Sequence, residues 1–335
     1  MTGRLDFGLI GAGAIAQTYA PAFEQCETAR VVGVADTRPE AAGALAERLK
    51  CPAFATYQAL GEGAKLDAVV ISTPPDRHPE IAIHFLQRGV HVLCEKPFSL
   101  DSQSARAMVD AAAKSGARLT MASKFRYVDD VVKAKSLLES GALGEIVLFE
   151  NAFTSRVDMS SRWNSDPRIS GGGVLVDNGT HSVDIMRYLL GPIREVQVVE
   201  GKRIQGLKVD ETVHVHARSA GGVDGTIDLS WSINKELERY ISLYGSAGTV
   251  LVGWKESRFR PATSREWVPI GKGYDKFQAF RSQIDNFSRA VAGEEPLLIT
   301  TEDAIASVEV IEAARVSLAE NRWAPVGART PGGRP

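Results

Sequence analysis

The stretch FGLIGAGAIA, residues 7–16, decides the fold of the N-terminal part of the chain. Its first four residues have the apolar character of a buried strand, and the pattern Gly-x-Gly-x-x-Ala follows directly, from Gly11 to Ala16. In such a pattern Gly11 allows a tight turn, Gly13 lets the backbone approach a pyrophosphate, and Ala16 is small enough for a helix to pack on the strand. Because helix starts bind phosphate through free N–H groups, a stretch in this strand-to-helix context predicts a dinucleotide-binding loop.

A second apolar strand, residues 30–35, ends at Asp36, about 20 residues after the glycine loop. A carboxylate at this place accepts hydrogen bonds from the adenosine ribose and repels a 2′-phosphate, which favours NAD over NADP. Arg38 keeps NADP open, because an arginine stacks on adenine or pairs with a phosphate. The alternative for Asp36 is that it only caps the helix predicted over residues 39–49.

Strand-like and helix-like segments alternate through the first third of the chain, which is typical of a parallel sheet with crossover helices. We therefore assign residues 1–123 to a Rossmann dinucleotide-binding domain of an α/β protein. The strand over residues 66–73 ends at two prolines, which halt a strand ladder. Ser72, Thr73 and Pro74 are therefore predicted to line the cofactor groove.

The sequence Cys94-Glu95-Lys96-Pro97-Phe98 closes a short apolar strand. Charges are costly to bury, and open parallel sheets bind ligands at the carboxyl ends of their strands. Lys96 is therefore predicted to point into a ligand cleft. The alternative is an ordinary ion pair between Glu95 and Lys96 at the end of the strand. We also predict a cis peptide bond before Pro97.

From residue 124 onward the pattern changes to segments of alternating polarity, typical of half-exposed antiparallel strands. We predict a second α/β domain over residues 124–328, with a large, mostly antiparallel sheet that leaves one face open. Open sheet faces often become subunit interfaces, so a homodimer or homotetramer through this sheet is expected. His214 and His216 share one face of a strand, but no carboxylate or cysteine at ligand spacing accompanies them, so no metal is predicted. The tail, residues 329–335, is predicted to be disordered.

Residues 171–184 read GGGVLVDNGTHSVD and begin another predicted helix. The glycines indicate close approach of the backbone to a ligand or to a neighbouring segment. Asp177 and His181 are four residues apart, so they lie on one face of that helix. A carboxylate beside an imidazole orients the ring and raises its basicity, which suits a general base near neutral pH. Two alternatives are open: an ordinary surface pair, and a His181 whose partner is Asp184.

The composition excludes several classes of function. The net charge is −2 over 335 residues, so there is no basic field to attract nucleic acid. Cys26, Cys51 and Cys94 lack the spacing of a disulfide framework or a zinc site, which fits a reducing, cytoplasmic setting. We expect no signal peptide, because a strand-like segment begins almost at once, and no window approaches the roughly 18 apolar residues of a membrane span.

Three motifs occur together and in this order: the glycine loop from Gly11 to Ala16, the triplet Glu95-Lys96-Pro97, and Gly171-Gly172-Gly173 followed by Asp177, His181 and Asp184. With these motifs the sequence resembles the glucose–fructose oxidoreductase / inositol dehydrogenase / MocA (Gfo/Idh/MocA) family over about residues 5–326. The resemblance implies a Rossmann domain followed by an α/β domain. It also implies hydride transfer between a nicotinamide cofactor and a hydroxyl-bearing carbon of a sugar, a sugar derivative or an inositol-type polyol.

The same resemblance implies a catalytic role for Lys96, Asp177 and His181. Whether His181 or Lys96 accepts the proton stays open. Two other functions share the architecture: a dinucleotide-binding sensor without turnover, and a reductase of another carbonyl or imine substrate. The complete set of lysine, aspartate and histidine favours an enzyme.

The motifs and the resemblance together mark the residues expected to bind the cofactor, with NAD expected and NADP as the alternative. These residues are Gly11, Gly13, Ala14, Ile15, Asp36, Arg38, Ser72, Thr73, Pro74, His78, Glu95 and Lys96. By its place before a predicted helix, His78 suits a capping or packing role better than catalysis. Glu95 is expected to be structural.

The residues expected to bind substrate are Lys96, Arg126, Arg162, Trp163, Asp177 and His181. Trp163 offers a face for stacking on a sugar ring. The arginines suit a carboxylate or a phosphate, although solvated loop charges are an equally good interpretation. A neutral sugar or inositol is favoured over an acidic or phosphorylated sugar.

Overall fold

Two β-sheets organise the chain, one parallel and one mostly antiparallel. They belong to a computed structural model that describes residues 3–327. The first of two units joins the chain up to Val128 with Asp275–Ile305, and the second joins Asp129–Tyr274 with the chain from Ala306. The predicted tail, residues 329–335, lies outside the described residues.

The elements have the following bounds. The strands are β1 (Leu5–Ile10), β2 (Ala29–Ala35), β3 (Ala53–Phe54), β4 (Ala68–Ile71), β5 (His91–Glu95), β6 (Leu119–Ala122), β7 (Ile146–Thr154), β8 (Ile193–Glu200), β9 (Thr212–Ser219), β10 (Asp224–Ser230), β11 (Arg239–Gly245), β12 (Gly248–Gly253), β13 (Ser257–Pro261), β14 (Val268–Gly271) and β15 (Ala324–Pro325). The helices are α1 (Ala14–Glu24), α2 (Pro39–Leu49), α3 (Tyr57–Gly63), α4 (His78–Leu86), α5 (Ser102–Ser115), α6 (Asp129–Glu139), α7 (Pro167–Ser170), α8 (Val174–Leu190), α9 (Lys276–Val291) and α10 (Thr301–Glu320).

The first unit is built on a six-stranded parallel sheet in the order β3-β2-β1-β4-β5-β6. Val69, Val70 and Ile71 of β4 are fully buried, as expected for a parallel strand covered by helices on both faces. The strand order reverses between β1 and β4, and ligands of such sheets bind outside the carboxyl ends at that reversal. The glycine loop follows β1 at this place. The predicted Rossmann fold is confirmed.

A helix from late in the chain, α9, completes the core of the first unit. Phe287 packs on Phe7 of β1 with ring centroids 5.9 Å apart, and Phe280 meets Tyr19 of α1 edge-on at 4.7 Å. All four side chains are fully buried. The sequence placed α9 in the second domain. In the structure it belongs to the first unit, because its apolar face packs against α1 and β1.

The second unit contains a nine-stranded sheet in the order β14-β13-β12-β11-β7-β10-β9-β8-β15. Neighbouring strands are antiparallel except for β7 and β10, which run parallel. In β9, Val213 and Val215 are buried, whereas His214 and His216 on the opposite face are exposed. Helix α8 packs on β7, β9 and β10. The predicted open, mostly antiparallel sheet is confirmed.

Within residues 3–327, no group of three or more histidine, cysteine, aspartate or glutamate side chains is placed to hold a metal ion. In the same part of the chain, no helix combines the length and the apolar character needed to cross a membrane. The predicted cytoplasmic location stays a prediction.

Candidate active site

The glycine loop between β1 and α1 has the backbone shape expected from its sequence. Gly11 has a φ of +91°, and a Cβ there would lie 2.7 Å from the Ser72 carbonyl oxygen, so only glycine fits. The Ser72 hydroxyl oxygen lies 3.0 Å from the carbonyl oxygens of both Ile10 and Gly11, so its single proton is donated at the end of β1 and the start of the loop. Around Gly13, which precedes Ala14 and Ile15 at the start of α1, no described atom beyond its chain neighbours lies within 4 Å of a Cβ position. The loop therefore has open space where a pyrophosphate is expected, and it fits a dinucleotide.

Asp36 follows β2 and contacts both the glycine loop and Arg38. Its Oδ2 accepts a hydrogen bond from the Ala12 amide at 2.7 Å, and its Oδ1 accepts from the Arg38 amide at 2.8 Å and from Arg38 Nε at 3.1 Å. Burial raises the pKa of Asp36, but the hydrogen bonds from Arg38 and Ala12 outweigh burial and lower the pKa below its usual value. Asp36 therefore connects β2 to the glycine loop. It also accepts a hydrogen bond from the amide of Arg38, the N-cap residue of α2.

His78, in the first turn of α4, bridges two loops at the carboxyl edge of the parallel sheet. Its Nδ1 lies 2.9 Å from the Pro97 carbonyl oxygen, and its Nε2 lies 2.9 Å from the Thr73 carbonyl oxygen. The side chain is fully buried, and burial lowers the pKa of the imidazole. Because the backbone engages both ring nitrogens, the geometry favours the packing role. His78 ties the loop of Thr73 and Pro74 to the segment after Lys96, and a cofactor contact by His78 stays a prediction.

Glu95, at the end of β5, is buried beneath the segment that carries Lys96. Its Oε1 accepts from Tyr19 Oη at 2.8 Å, and Tyr19 Oη accepts in turn from Gln283 Nε2 at 2.8 Å. Its Oε2 accepts from the Lys96 amide at 3.2 Å. Burial raises the pKa of Glu95, and the hydrogen bond from Tyr19 and the charge of Lys96 oppose that rise. Glu95 thus holds the backbone at Lys96, and the peptide bond after Lys96 is cis, as predicted.

Asp177 lies in the first turn of α8, and His181 lies one turn later. His181 is 8% exposed, and the ring of Phe153 from β7 lies edge-on to its imidazole with centroids 6.4 Å apart. Asp184, the alternative partner of His181, is fully buried, whereas Asp177 is partly exposed. One helix thus presents an imidazole and two carboxylates, which are the residue types of a proton-transfer site.

Gly173, the residue directly before α8, is required to be glycine by a neighbouring segment. A Cβ on Gly173 would lie 1.9 Å from the Asp210 carbonyl oxygen. The Asp210 carboxylate accepts from the amides of Gly173 at 2.9 Å and Leu175 at 2.7 Å. Of the two explanations that the sequence left open, a ligand or a neighbouring segment, the second holds at Gly173. Sequence reasoning missed Asp210, because a capping residue 35 positions away leaves no local pattern.

The predicted substrate-binding arginines differ in their surroundings. Arg126 is 3% exposed, and its Nη1 lies 3.0 Å from Asp303 Oδ2 within the first unit. This ion pair, in which the Asp303 side chain is 25% exposed, gives Arg126 a structural contact, and its contact with substrate stays a prediction. Arg162 and Trp163 lie instead on the surface at a short 3-10 turn, and 41% of Trp163 is exposed.

An aromatic cluster that the sequence did not predict extends from His181 to the surface of the second unit. Phe153 stacks on Tyr240 with ring centroids 5.8 Å apart, and Tyr240 packs on Trp254 at 4.5 Å. Trp254 meets Tyr274 edge-on at 5.6 Å and is 39% exposed. These residues come from segments far apart in the sequence, so no local pattern marks them. Within this cluster, Phe153 is the ring that lies next to His181.

Comparison with known proteins gives the family. Residues 5–123 match the oxidoreductase family with an NAD-binding Rossmann fold, and residues 131–251 match the GFO/IDH/MocA C-terminal domain. The chain belongs to the Gfo/Idh/MocA oxidoreductase family. The resemblance inferred from the sequence is therefore confirmed, and with it the predictions of an oxidoreductase and of NAD as the cofactor.

Several members of the Gfo/Idh/MocA family are similar along much of the chain. Inositol 2-dehydrogenase from Rhizobium meliloti (strain 1021) is 28% identical over 336 residues, which covers 94% of this chain and 97% of that protein. Levoglucosan dehydrogenase from Pseudarthrobacter phenanthrenivorans is 30% identical over 210 residues, which covers 58% of this chain and 54% of that protein. A solved structure of levoglucosan dehydrogenase with NADH and levoglucosan has a TM-score of 0.88 at 23% identity, covering 97% of this chain and 100% of that one. At that identity the likeness shows the fold alone.

Proposed function

We propose that this Gfo/Idh/MocA protein transfers a hydride between NAD and a hydroxyl-bearing carbon of a sugar, a sugar derivative or an inositol-type polyol. One observation carries the proposal: this chain of the family has all three residues of the proposed site. Lys96 directly follows β5, and Asp177 and the buried His181 lie on α8. Two similar proteins are named as dehydrogenases of inositol and of levoglucosan, which supports the substrate class.

The residues that would hold NAD lie in the first unit. The open space at Gly13 suits the pyrophosphate, and the start of α1 supplies N–H groups and the positive end of the helix dipole. The Asp36 carboxylate suits the ribose hydroxyls. Arg38, whose side chain is 63% exposed, leaves NADP as an alternative, since a guanidinium also pairs with phosphate. When bound, the nicotinamide supplies the hydride acceptor or donor.

The chain's own residues then handle the proton. His181 removes the proton from the substrate hydroxyl during oxidation and returns it to the carbonyl oxygen during reduction. Lys96 donates a hydrogen bond to the same oxygen, and its positive charge stabilises the negative charge that develops there. Asp177 orients the imidazole or binds a second substrate hydroxyl. The alternative is that Lys96 and His181 exchange these roles.

A neutral cyclic substrate fits the surroundings better than an acidic one. Arg126 Nη1 lies 3.0 Å from Asp303 Oδ2, so this arginine already has a carboxylate partner. Trp163 is 41% exposed, and its indole face suits the C–H face of a sugar ring. These two observations favour a neutral sugar or inositol over a carboxylated or phosphorylated sugar.

A screen of sugars and inositols with NAD and with NADP, followed by the absorbance of the reduced cofactor, tests the proposal. With the best substrate, Lys96→Met and His181→Ala are each expected to lower turnover by about 10²–10⁴-fold while NAD binding is retained. Lys114→Met, at an exposed position in the last turn of α5, is the matched control and should keep full turnover. Full activity of either site variant would overturn the assigned roles. Tight binding of NADH without turnover of any polyol would favour a sensor.

We further propose that the protein is a homodimer or homotetramer formed through the open face of the nine-stranded sheet. This face carries the exposed His214 and His216 of β9, and Val199 of β8, which is opposite His214 and 46% exposed. Exposed sheet faces that carry apolar side chains often become subunit interfaces. The mass measured by light scattering during size-exclusion chromatography tests this, and a monomer's mass at micromolar concentration would contradict it.

A further inference from the structure

The start of α8 is held by one residue from a distant loop. Three successive amides donate to Asp210: Gly173 N to Oδ1 at 2.9 Å, Val174 N to the carbonyl oxygen at 2.9 Å, and Leu175 N to Oδ2 at 2.7 Å. The first amides of a helix have no partner within the helix, and the N-cap residue, Gly173, has no side chain to supply one. Asp210 therefore provides the cap that α8 cannot provide for itself.

This cap fixes the position of the first turn of α8, and with it the pair of Asp177 and His181, which we call the catalytic pair. Asp177 lies within that first turn, so any shift of the turn moves its carboxylate directly. Asp210 is buried, and a Cβ on Gly173 would lie 1.9 Å from its carbonyl oxygen. The two segments are therefore in direct backbone contact, and α8 has little freedom to slide.

The next residue, Glu211, holds a different segment. Its Oε2 accepts from the amides of Ile204 and Gln205, both at 2.8 Å, and from the Ser232 hydroxyl at 3.0 Å, while its Oε1 accepts from the Leu207 amide at 3.1 Å. Burial raises the pKa of Glu211, but these hydrogen bonds outweigh burial and lower it. Glu211 is thus a charged group that organises the loop before β9.

Gln205 connects Glu211 to the polar segment after β7. Its Oε1 accepts from the Met159 amide at 3.0 Å, and its Nε2 donates to the Val157 carbonyl oxygen at 3.1 Å. Residues 157–163, which we call the substrate segment, end with the predicted substrate contacts Arg162 and Trp163. Glu211 therefore fixes the substrate segment through Gln205.

We propose that Asp210 and Glu211 are positioning residues with divided roles. Asp210 positions the catalytic pair through the start of α8, and Glu211 positions the substrate segment through Gln205. The inference rests on the proposed function, since it assigns one acid to proton transfer and its neighbour to substrate binding. Loss of an interaction that serves only the chemical step lowers kcat, whereas loss of one that serves substrate binding raises KM. A substitution of Asp210 should therefore change mainly kcat, and a substitution of Glu211 should change mainly KM.

Asp210→Asn and Glu211→Gln test this division, because each replaces an acceptor oxygen by a donor that faces backbone amides. Asp210→Asn should lower kcat by about 10–100-fold and move the acidic limb of the pH profile of kcat, with the KM of the polyol little changed. Glu211→Gln should raise that KM by about tenfold with kcat nearly unchanged. Glu139→Gln, an exposed acid at the end of α6, is the control and should change neither constant. NAD affinity should be retained in every variant.

Three outcomes overturn the proposal: a folded Asp210→Asn protein with wild-type kcat and pH profile, a folded Glu211→Gln protein with wild-type KM, or variants that lose activity only in proportion to their unfolded fraction in circular dichroism. If Asp210→Asn does not fold, Asp210→Glu, which keeps the charge but lengthens the side chain, is measured with the same expected fall in kcat. Normal kinetics of Asp210→Asn beside an inactive Lys96→Met would refute the positioning role alone. An active Lys96→Met would refute the proposed function itself.

Discussion

Two helices of this protein begin at a glycine, and their starts are used in opposite ways. α1 follows Gly13 and α8 follows Gly173, and neither N-cap glycine has a side chain that accepts a hydrogen bond. At Gly13, no atom of the described chain beyond its neighbours lies within 4 Å of a Cβ position, whereas at Gly173 the Asp210 carbonyl oxygen would lie 1.9 Å from it. One start is open to a ligand, and the other is filled by the protein's own carboxylate.

The difference shows that a glycine-rich helix start is not by itself a phosphate site. The amides at such a start attract any anion, and a residue far away in the sequence decides whether that anion is a ligand or a side chain. In this family member the open start suits the cofactor. The filled start holds the helix that carries the pair proposed for proton transfer.

The largest effect is expected at the filled start. Gly173→Ala places a methyl group against the Asp210 carbonyl oxygen, so the backbone must shift, and we expect the free energy of unfolding to fall by about 3 kcal/mol. Gly43→Ala within α2, where no described atom outside the helix backbone lies within 4 Å of the Cβ position, is the control and should raise that free energy by roughly 0.5–1 kcal/mol. Urea titration measures both values. Wild-type stability of Gly173→Ala would mean that the two segments separate at little cost.

At the open start, Gly13→Ala should affect binding rather than stability. Gly13 has a φ of −77°, which alanine adopts readily, so the free energy of unfolding should change by less than about 0.5 kcal/mol. The methyl group would occupy the space expected for the pyrophosphate. The dissociation constant of NADH, measured by fluorescence titration, should therefore rise by roughly tenfold, or about 1.4 kcal/mol. Unchanged affinity would show that the cofactor does not approach this glycine.

The smallest expected effect is on how stability depends on pH. The carboxylates near the two helix starts, Asp36 and Asp210, have pKa values shifted in opposite directions. For Asp36, burial is outweighed by hydrogen bonds from Arg38 and Ala12, and the pKa is lowered from its usual 3.8. Its stabilising contribution is present above pH 3.8 and is lost as the pH falls through the lowered value. For Asp210, burial is the main cause and raises the pKa. The folded protein then binds this proton more tightly than the unfolded chain does, so stability falls as the pH rises from 3.8 through the raised value.

Urea titrations in a pH series separate these two contributions. The stability of the wild type relative to Asp36→Asn should increase as the pH rises toward 3.8, and then level off. The stability of the wild type relative to Asp210→Asn should decrease as the pH rises above 3.8. Slopes of the same sign in the two comparisons would contradict the opposite shifts.

The parts of the molecule that were predictable from sequence have their partners nearby in the chain. The strand, turn and helix of residues 7–16 are encoded by apolar residues and by glycines within ten positions. The common helix face of Asp177 and His181 follows from the 3.6-residue period alone. Periodicity and the freedom of glycine are local properties, so a single sequence displays them.

The parts that were missed depend on contacts between distant positions. The sequence did not show that Arg126, a predicted substrate ligand, pairs with Asp303, 177 positions later. Asp210 similarly caps α8 from 35 positions beyond Leu175. Helix α9 has a clear apolar face, but the sequence pattern does not indicate which of the two sheets that face covers. In each case the partner was identified only in three dimensions.

The late position of α9 also has a consequence for synthesis on the ribosome. Domains near the N-terminus commonly fold first, while the rest of the chain is still being made. Here the core around Phe7 and Tyr19 includes Phe280 and Phe287 of α9, so a nascent chain that stops at Val128 leaves these apolar residues uncovered. The nine-stranded sheet is completed later still, since β15 pairs with β8. Both units therefore reach their full cores only when nearly the whole chain has been translated, and until then part of their apolar surface stays exposed, which favours aggregation.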